Sequence, residues 1–123
     1  MANPNLISAN VILGKTTGIL LSNTNPLMVL NNPAASGKSL KLNTLNVSNQ
    51  SNSAALITIN FNTGAFLGGT NFAIAANISV PSGSTLNIID KTSQYYIEEN
   101  YSLGARASVA DALIVTASYE DIS

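Results

Sequence analysis

Apolar residues recur at every second position through much of this chain, and that spacing limits the folds open to it. Leu40 and Leu42 alternate with Lys41 and Asn43, then Leu45 and Val47 alternate with Asn46 and Ser48. Ile57, Ile59 and Phe61 alternate with Thr58, Asn60 and Asn62. A strand turns successive side chains to opposite faces, so this pattern predicts strands with one buried and one wet face. Between the two runs lies a wholly polar stretch, residues 49–53, of side chains that bond locally to backbone and favour turns. Leu40 to Asn62 is therefore expected to form a β-hairpin. The step from Leu42 to Leu45 is odd, which would carry the apolar set to the other face. A β-bulge near Asn43 and Thr44 restores the phase and buries both leucines.

The remaining chain repeats the theme. Ala9 to Leu13 reads as a first strand closed by Gly14, and Gly18 opens a second apolar run, Ile19 to Leu21. Leu27 to Leu30 is a continuous apolar tetrad, expected as a strand buried on both faces. Phe72, Ile74, Ala76, Ile78 and Val80 give the cleanest alternation, stopped at Pro81, which cannot donate to a ladder. Leu86 to Ile89 follows, then Tyr95 to Ile97. Tyr101, Leu103, Ala105 and Ala107 alternate next, and then Leu113, Val115, Ala117 and Tyr119. Turn signals separate the runs, and no window has helix spacing with caps at both ends. The expectation is an all-β, single-domain antiparallel β-sandwich, jelly-roll-like, of eight or nine short strands. Residues 10–123 form that domain. Residues 1–9, apolar only at Leu6 and Ile7 apart from small or terminal residues, read as an N-terminal arm whose two large side chains are candidates to bind a partner.

Chemistry is excluded more readily than it is found. The 123 residues hold no Cys and no His, so thiol nucleophiles, imidazole bases and the usual zinc, copper and haem ligands are missing. Gly14-Lys15-Thr16 and Gly37-Lys38-Ser39 mimic the end of a phosphate-binding loop. The glycine required five residues earlier is Ala9 in one case and Asn32 in the other, so both read as turns. Glu98 and Glu99 are adjacent, point to opposite faces if in a strand, and read as solvated edge charges. Asp90, Asp111 and Asp121 are scattered, without calcium-loop spacing. No G-x-S-x-G elbow exists, and nothing beside Lys15, Lys38, Lys41 or Lys91 argues for a Schiff base. The N-x-S patterns at Asn46, Asn49, Asn77 and Asn100 are what abundant Asn and Ser produce by chance. Tyr95, Tyr96, Tyr101 and Tyr119 suit either a sugar platform or wet-tipped core edges. No catalytic residue, metal ligand or cofactor site is assigned, and the chain reads as a non-enzyme.

The surface is unusual. Charged residues make up 9% of the chain, with a net charge of −1, whereas soluble domains carry about a quarter. Asn, Ser and Thr supply about a third of the residues instead. No basic stripe exists for phosphates, so nucleic acid is not an expected partner. No apolar run approaches a bilayer span, so neither is a membrane, and Met1 to Asn5 lacks the regions of a signal peptide. Weak self-repulsion suits a protein packed against copies of itself or other partners.

The second half carries a resemblance. Ile78 to Leu86 (ISVPSGSTL), Ile89-Asp-Lys91, Tyr96-Ile-Glu-Glu99, Ser102-Leu103 and Val115 to Ser123 (VTASYEDIS) resemble small virion structural proteins of tailed bacteriophages, those of cyanophages above all. Gly14 to Thr17 and Asn32 to Lys38 are similar to that group as well. The chain departs from it at Asn100, where the group often has Gly, although Asn tolerates a left-handed turn. The resemblance implies a non-enzymatic virion protein, made in the host cytoplasm. A capsid decoration (cement) protein, stabilising the head shell from the capsid surface, is the first expectation. Its partners would be the major capsid protein or other virion proteins and copies of itself, a trimer being taken from virion symmetry. The alternative is a neck, baseplate or tail-fibre component that binds a receptor or carbohydrate. A non-viral carbohydrate-binding module and an enzyme using Asp, Glu, Lys and Tyr alone rank below both.

Overall fold

The computed structural model describes residues 11–90, 92 and 94–123. Nine strands occur among them: β1 (Ile12–Leu20), β2 (Leu27–Asn32), β3 (Ser39–Asn49), β4 (Ala55–Asn62), β5 (Asn71–Val80), β6 (Thr85–Ile89), β7 (Tyr95–Ile97), β8 (Tyr101–Ala107) and β9 (Leu113–Ile122). A short 3-10 turn, Ala65–Leu67, lies between β4 and β5. The strands form two antiparallel sheets. The first runs β1-β9-β3-β6, with β7 also pairing β3, and the second runs β2-β8-β4-β5. Strands β6 and β7 follow one another along the same side of β3, so together they act as one interrupted strand. Four strands against four in this order is the jelly roll expected from the sequence.

The core lies between the sheets. Leu42, Leu45 and Val47 of β3, together with Leu113, Val115 and Ala117 of β9, face Ile57 and Ile59 of β4 and Leu103 and Ala105 of β8. Each fully buried Leu or Ile contributes about 1.5–3 kcal/mol. The expected bulge is present: the β3–β9 register shifts between Leu42 and Thr44, and Leu42 and Leu45 are both fully buried. At the same point β3 changes its other partner from β7 to β6.

Other expectations are corrected. Leu40 to Asn62 is no hairpin, because β3 and β4 lie in different sheets. Side by side, two amphipathic strands would leave their apolar faces uncovered; folded across the core, the faces cover each other. Gly14 and Gly18 do not end strands: β1 runs through both, paired with β9 along its whole length. Strand β2 is an edge strand with a register shift between Met28 and Leu30, so only Leu30 of the apolar tetrad is buried. Strand β5 also lies at an edge. Two register shifts against β4 and a positive φ of 50° at Asn77 break its alternation, leaving Phe72 50% and Ile78 41% exposed. Glu99 is not a solvated edge charge. It lies in the β7–β8 turn, which closes with Tyr101 N–H donating to the Glu98 carbonyl, and it is only 8% exposed. Asn100 beside it is left-handed, at φ 62°.

Candidate functional site

Three asparagines hold the loops at the ends of the sandwich. Asn49 Nδ2 donates to the carbonyls of Ser53 (2.9 Å) and Val80 (2.8 Å), while its Oδ1 accepts from the Ser51 N–H and hydroxyl. Asn32 Nδ2 donates to the Lys38 and Ile97 carbonyls, both at 2.9 Å. Asn62 Oδ1 accepts from Gly64 and Gly69 N–H, at 2.8 and 2.7 Å. All three are buried. A buried amide is tolerated because its polar atoms are met, mostly by backbone groups of the loops.

The two lysines of the phosphate-loop look-alikes do meet, but on a carboxylate. Lys15 Nζ lies 3.0 Å and Lys38 Nζ 3.3 Å from Asp121 Oδ2. Asp121 shares the core side of β9 with Leu113, Val115 and Ala117, and its side chain is buried. Burial, the largest single influence, pushes its carboxyl upward, but hydrogen bonds and charge from Lys15 and Lys38 outweigh that and hold it below the usual carboxylate range. Lys15 is raised in turn, chiefly by its hydrogen bond to Asp121. Both lysine amines are committed to Asp121, and the cluster ties β1 and the β2–β3 loop to the end of β9. Nothing in the sequence linked positions 15, 38 and 121.

The tyrosines do not form one platform. Tyr96 is exposed opposite Lys41, and Tyr95 stands opposite Leu42. Tyr101 stacks against Phe61 (centroids 6.5 Å apart), which stacks on Phe72 (5.2 Å). Tyr119 is half-buried in β9. Leu6 and Ile7 of the expected arm lie outside the described residues. No group of three or more His, Cys, Asp or Glu suited to a metal ion occurs among the described residues.

The two outer faces differ. On the first sheet, cross-strand rows read Thr16–Ser118–Thr44 and Gly18–Thr116–Asn46–Asn87, a run of short uncharged side chains. Only Lys41 and Glu120, register partners at one end, interrupt it with charge. The outer face of the second sheet has a raised end and a recessed end. At the recessed end Thr24, Leu56, Thr58, Asn77, Arg106, Ala107 and Ser108 line a groove of about 280 Å³. Arg106 is the single arginine of the chain. At the raised end the 65–67 turn covers β8, with Leu67 lying over Gly104, where a Cβ would come within 2.9 Å of Leu67 Cδ2.

No protein-family model and no curated protein matches this sequence. Solved structures do match the fold. One is a protein of Bacillus endospore appendages, which are disulfide-linked pili: TM-score 0.55 at 11% identity, covering 100% of this chain and 96% of that one. Another is an archaeal virus protein with a triple jelly roll fold and a turret assembly: TM-score 0.54 at 16% identity, covering 94% of this chain. The match takes in 30% of the viral chain, so this protein spans about a third of that length. At such identities the likeness is one of fold, and the fold is the jelly roll.

Proposed function

We propose that this chain is a non-enzymatic structural protein of a virus particle: a capsid decoration (cement) protein of a tailed bacteriophage of the cyanophage type, stabilising the head shell. The outer face of the first sheet is the observation that carries this reading. Its Thr, Ser, Asn and Gly rows present hydrogen-bonding groups on short side chains, which lose less rotamer entropy on burial than Lys or Glu. A face so poor in charge offers little repulsion to a neighbouring surface. The phage-like motifs and the fold shared with a viral turret protein and a pilus protein support the same role. The pilus proteins are disulfide-linked; this chain has no cysteine, so any assembly it forms is non-covalent in that respect. In this reading the protein is made in the host cytoplasm and binds the major capsid protein at the capsid surface. It also binds copies of itself, as a trimer by virion symmetry, and lattice avidity compensates for modest single contacts. Residues 1–9, with Leu6 and Ile7, serve as an arm that grips a neighbour.

Quantitative mass spectrometry of purified particles tests the proposal. A copy number comparable with that of the major shell protein is the expected result. A few copies per particle would refute decoration and move the protein to the neck, baseplate or fibres. The dispersal of the four tyrosines gives no support to a receptor or carbohydrate platform there.

A further inference from the structure

The edges of the two sheets are not alike. Strand β2 carries a register shift between Met28 and Leu30, β5 carries two against β4, and β6 and β7 together make an interrupted edge. Shifts and breaks of that kind blunt an edge against further pairing. Strand β1 has none. It pairs with β9 in one unbroken register from Ile12 to Leu20 and holds no proline. A lysine often guards such an edge, but Lys15 is turned back over its own sheet to Asp121, at 3.0 Å. Val11 and Ser123 exchange reciprocal backbone hydrogen bonds, and Leu21 N–H donates to the Leu113 carbonyl. Those two ends fix the phase of the ladder. Odd-numbered residues of β1 bond β9, while Ile12, Gly14, Thr16, Gly18 and Leu20 aim their N–H and C=O groups out of the sheet. No donor or acceptor among the described residues meets them.

What fits an open edge is an extended strand, and β1 matches its own edge. Its text, Ile-Leu-Gly-Lys-Thr-Thr-Gly-Ile-Leu, reads nearly the same by residue type in both directions from Thr16. Antiparallel pairing of two copies about that centre sets Ile12 opposite Leu20, Leu13 opposite Ile19 and Gly14 opposite Gly18. Lys15 then meets Thr17 rather than a second Lys15, so no like charges stand opposite each other. The five outward residues fall symmetrically about Thr16. Every outward donor on one copy therefore faces an acceptor on the other, about ten hydrogen bonds in all. The same register accounts for apolar side chains otherwise left in water. Ile12 is 58% exposed, Leu13 49% and Leu20 41%, and each gains an apolar partner across the seam.

We infer that two copies of this chain join edge to edge through β1, as an antiparallel pair with a two-fold axis at Thr16, perpendicular to the sheet. The contact is isologous, so it closes at two copies. The two first sheets become one, and the row Thr44–Ser118–Thr16 of one copy runs on into Thr16–Ser118–Thr44 of the other. The outer faces of both sheets stay free. The seam is independent of the virion reading, and a three-fold contact would use another surface.

The full chain has no cysteine, and a Cβ at Gly14 or Gly18 would meet nothing closer than 4.0 Å. A Gly14→Cys chain mixed with a Gly18→Cys chain sets one thiol opposite the other, with the Cα atoms about 5.5 Å apart. In either variant alone, the two thiols are displaced by four residues, roughly 13 Å along the strands. A thiol-to-thiol cross-linker too short for that span should give covalent dimers from the mixture at several times the yield of either variant alone. Adding Thr16→Pro to both chains should cut the yield about tenfold, because an outward donor is lost from each copy. It breaks no bond to β9, and proline is tolerated on an edge strand when its nitrogen faces solvent. Thr16→Lys, which sets like charges opposite each other at the axis, should lower the yield as well. Circular dichroism and the unfolding midpoint of each variant separate lost pairing from lost fold. A yield unmoved by Thr16→Lys in a folded chain overturns the inference. So does a mixture that cross-links no better than its parts, which leaves the edge to another occupant, such as residues 1–9 of a neighbour. Neither result bears on particle copy number, so the virion reading stands or falls separately.

Discussion

Asp121 shows how much a single side chain does at the end of this sandwich. A carboxylate on the core side of β9 would be costly alone, and two lysines from distant points of the chain make it tolerable. Its pKa is held down, so its contribution is present above the unfolded value of about 3.9 and is lost as pH falls through the folded value. Lys15 is shifted up, so its part is present below about 10.4 and is lost as pH rises through the raised value. Asp121→Asn is expected to cost about 1–2 kcal/mol at neutral pH, less than a fully buried pair because both lysines reach solvent. Denaturant unfolding across pH checks this. The gap between wild type and variant should stay level through neutrality, then close below about pH 4 and above about pH 10.

Among the elements, β3 organises the rest. It pairs with β9 along one side and with β7 and then β6 along the other, and its bulge lets one strand serve both partners. The bulge was legible from the odd Leu42–Leu45 spacing alone, because a buried face tolerates no phase error. Leu42→Ala and Leu45→Ala should each cost about 2–5 kcal/mol in chemical denaturation, as buried core positions do. Thr44→Ala between them should cost within about 0.5 kcal/mol. A small effect at either leucine would show that the chain does not keep both in the core. Strand β5 teaches the opposite lesson. Its text alternates better than that of β3, yet at a sheet edge with two register shifts Phe72 and Ile78 stay largely in water.

For the whole molecule, the arrangement leaves two outer faces of different character. The first sheet offers short uncharged rows, and the second offers a raised turn over β8 and a groove. The backbone of Val11 is tied to Ser123 by reciprocal hydrogen bonds of 3.0 and 2.9 Å, so the start of β1 is pinned independently of what precedes it. Deleting residues 1–9 should therefore leave the unfolding midpoint unchanged while abolishing particle binding in a co-sedimentation assay. Retained binding would remove Leu6 and Ile7 from any role as an arm.

The all-β class, the bulge and the core residues of β3, β8 and β9 were determined by the sequence alone. They follow from side-chain period and turn chemistry, which act over a few residues. Which strand pairs with which was decided only in three dimensions. Period two states that Leu45 and Ile57 are buried, and is silent on whether their strands are hydrogen-bonded neighbours or face each other across a core. The Lys15–Asp121–Lys38 cluster, the buried roles of Asn32, Asn49 and Asn62, and the 65–67 turn over Gly104 were invisible for the same reason. Each joins positions whose separation in sequence carries no signal, and an asparagine that replaces backbone partners in the interior is spelled like one that lies in water.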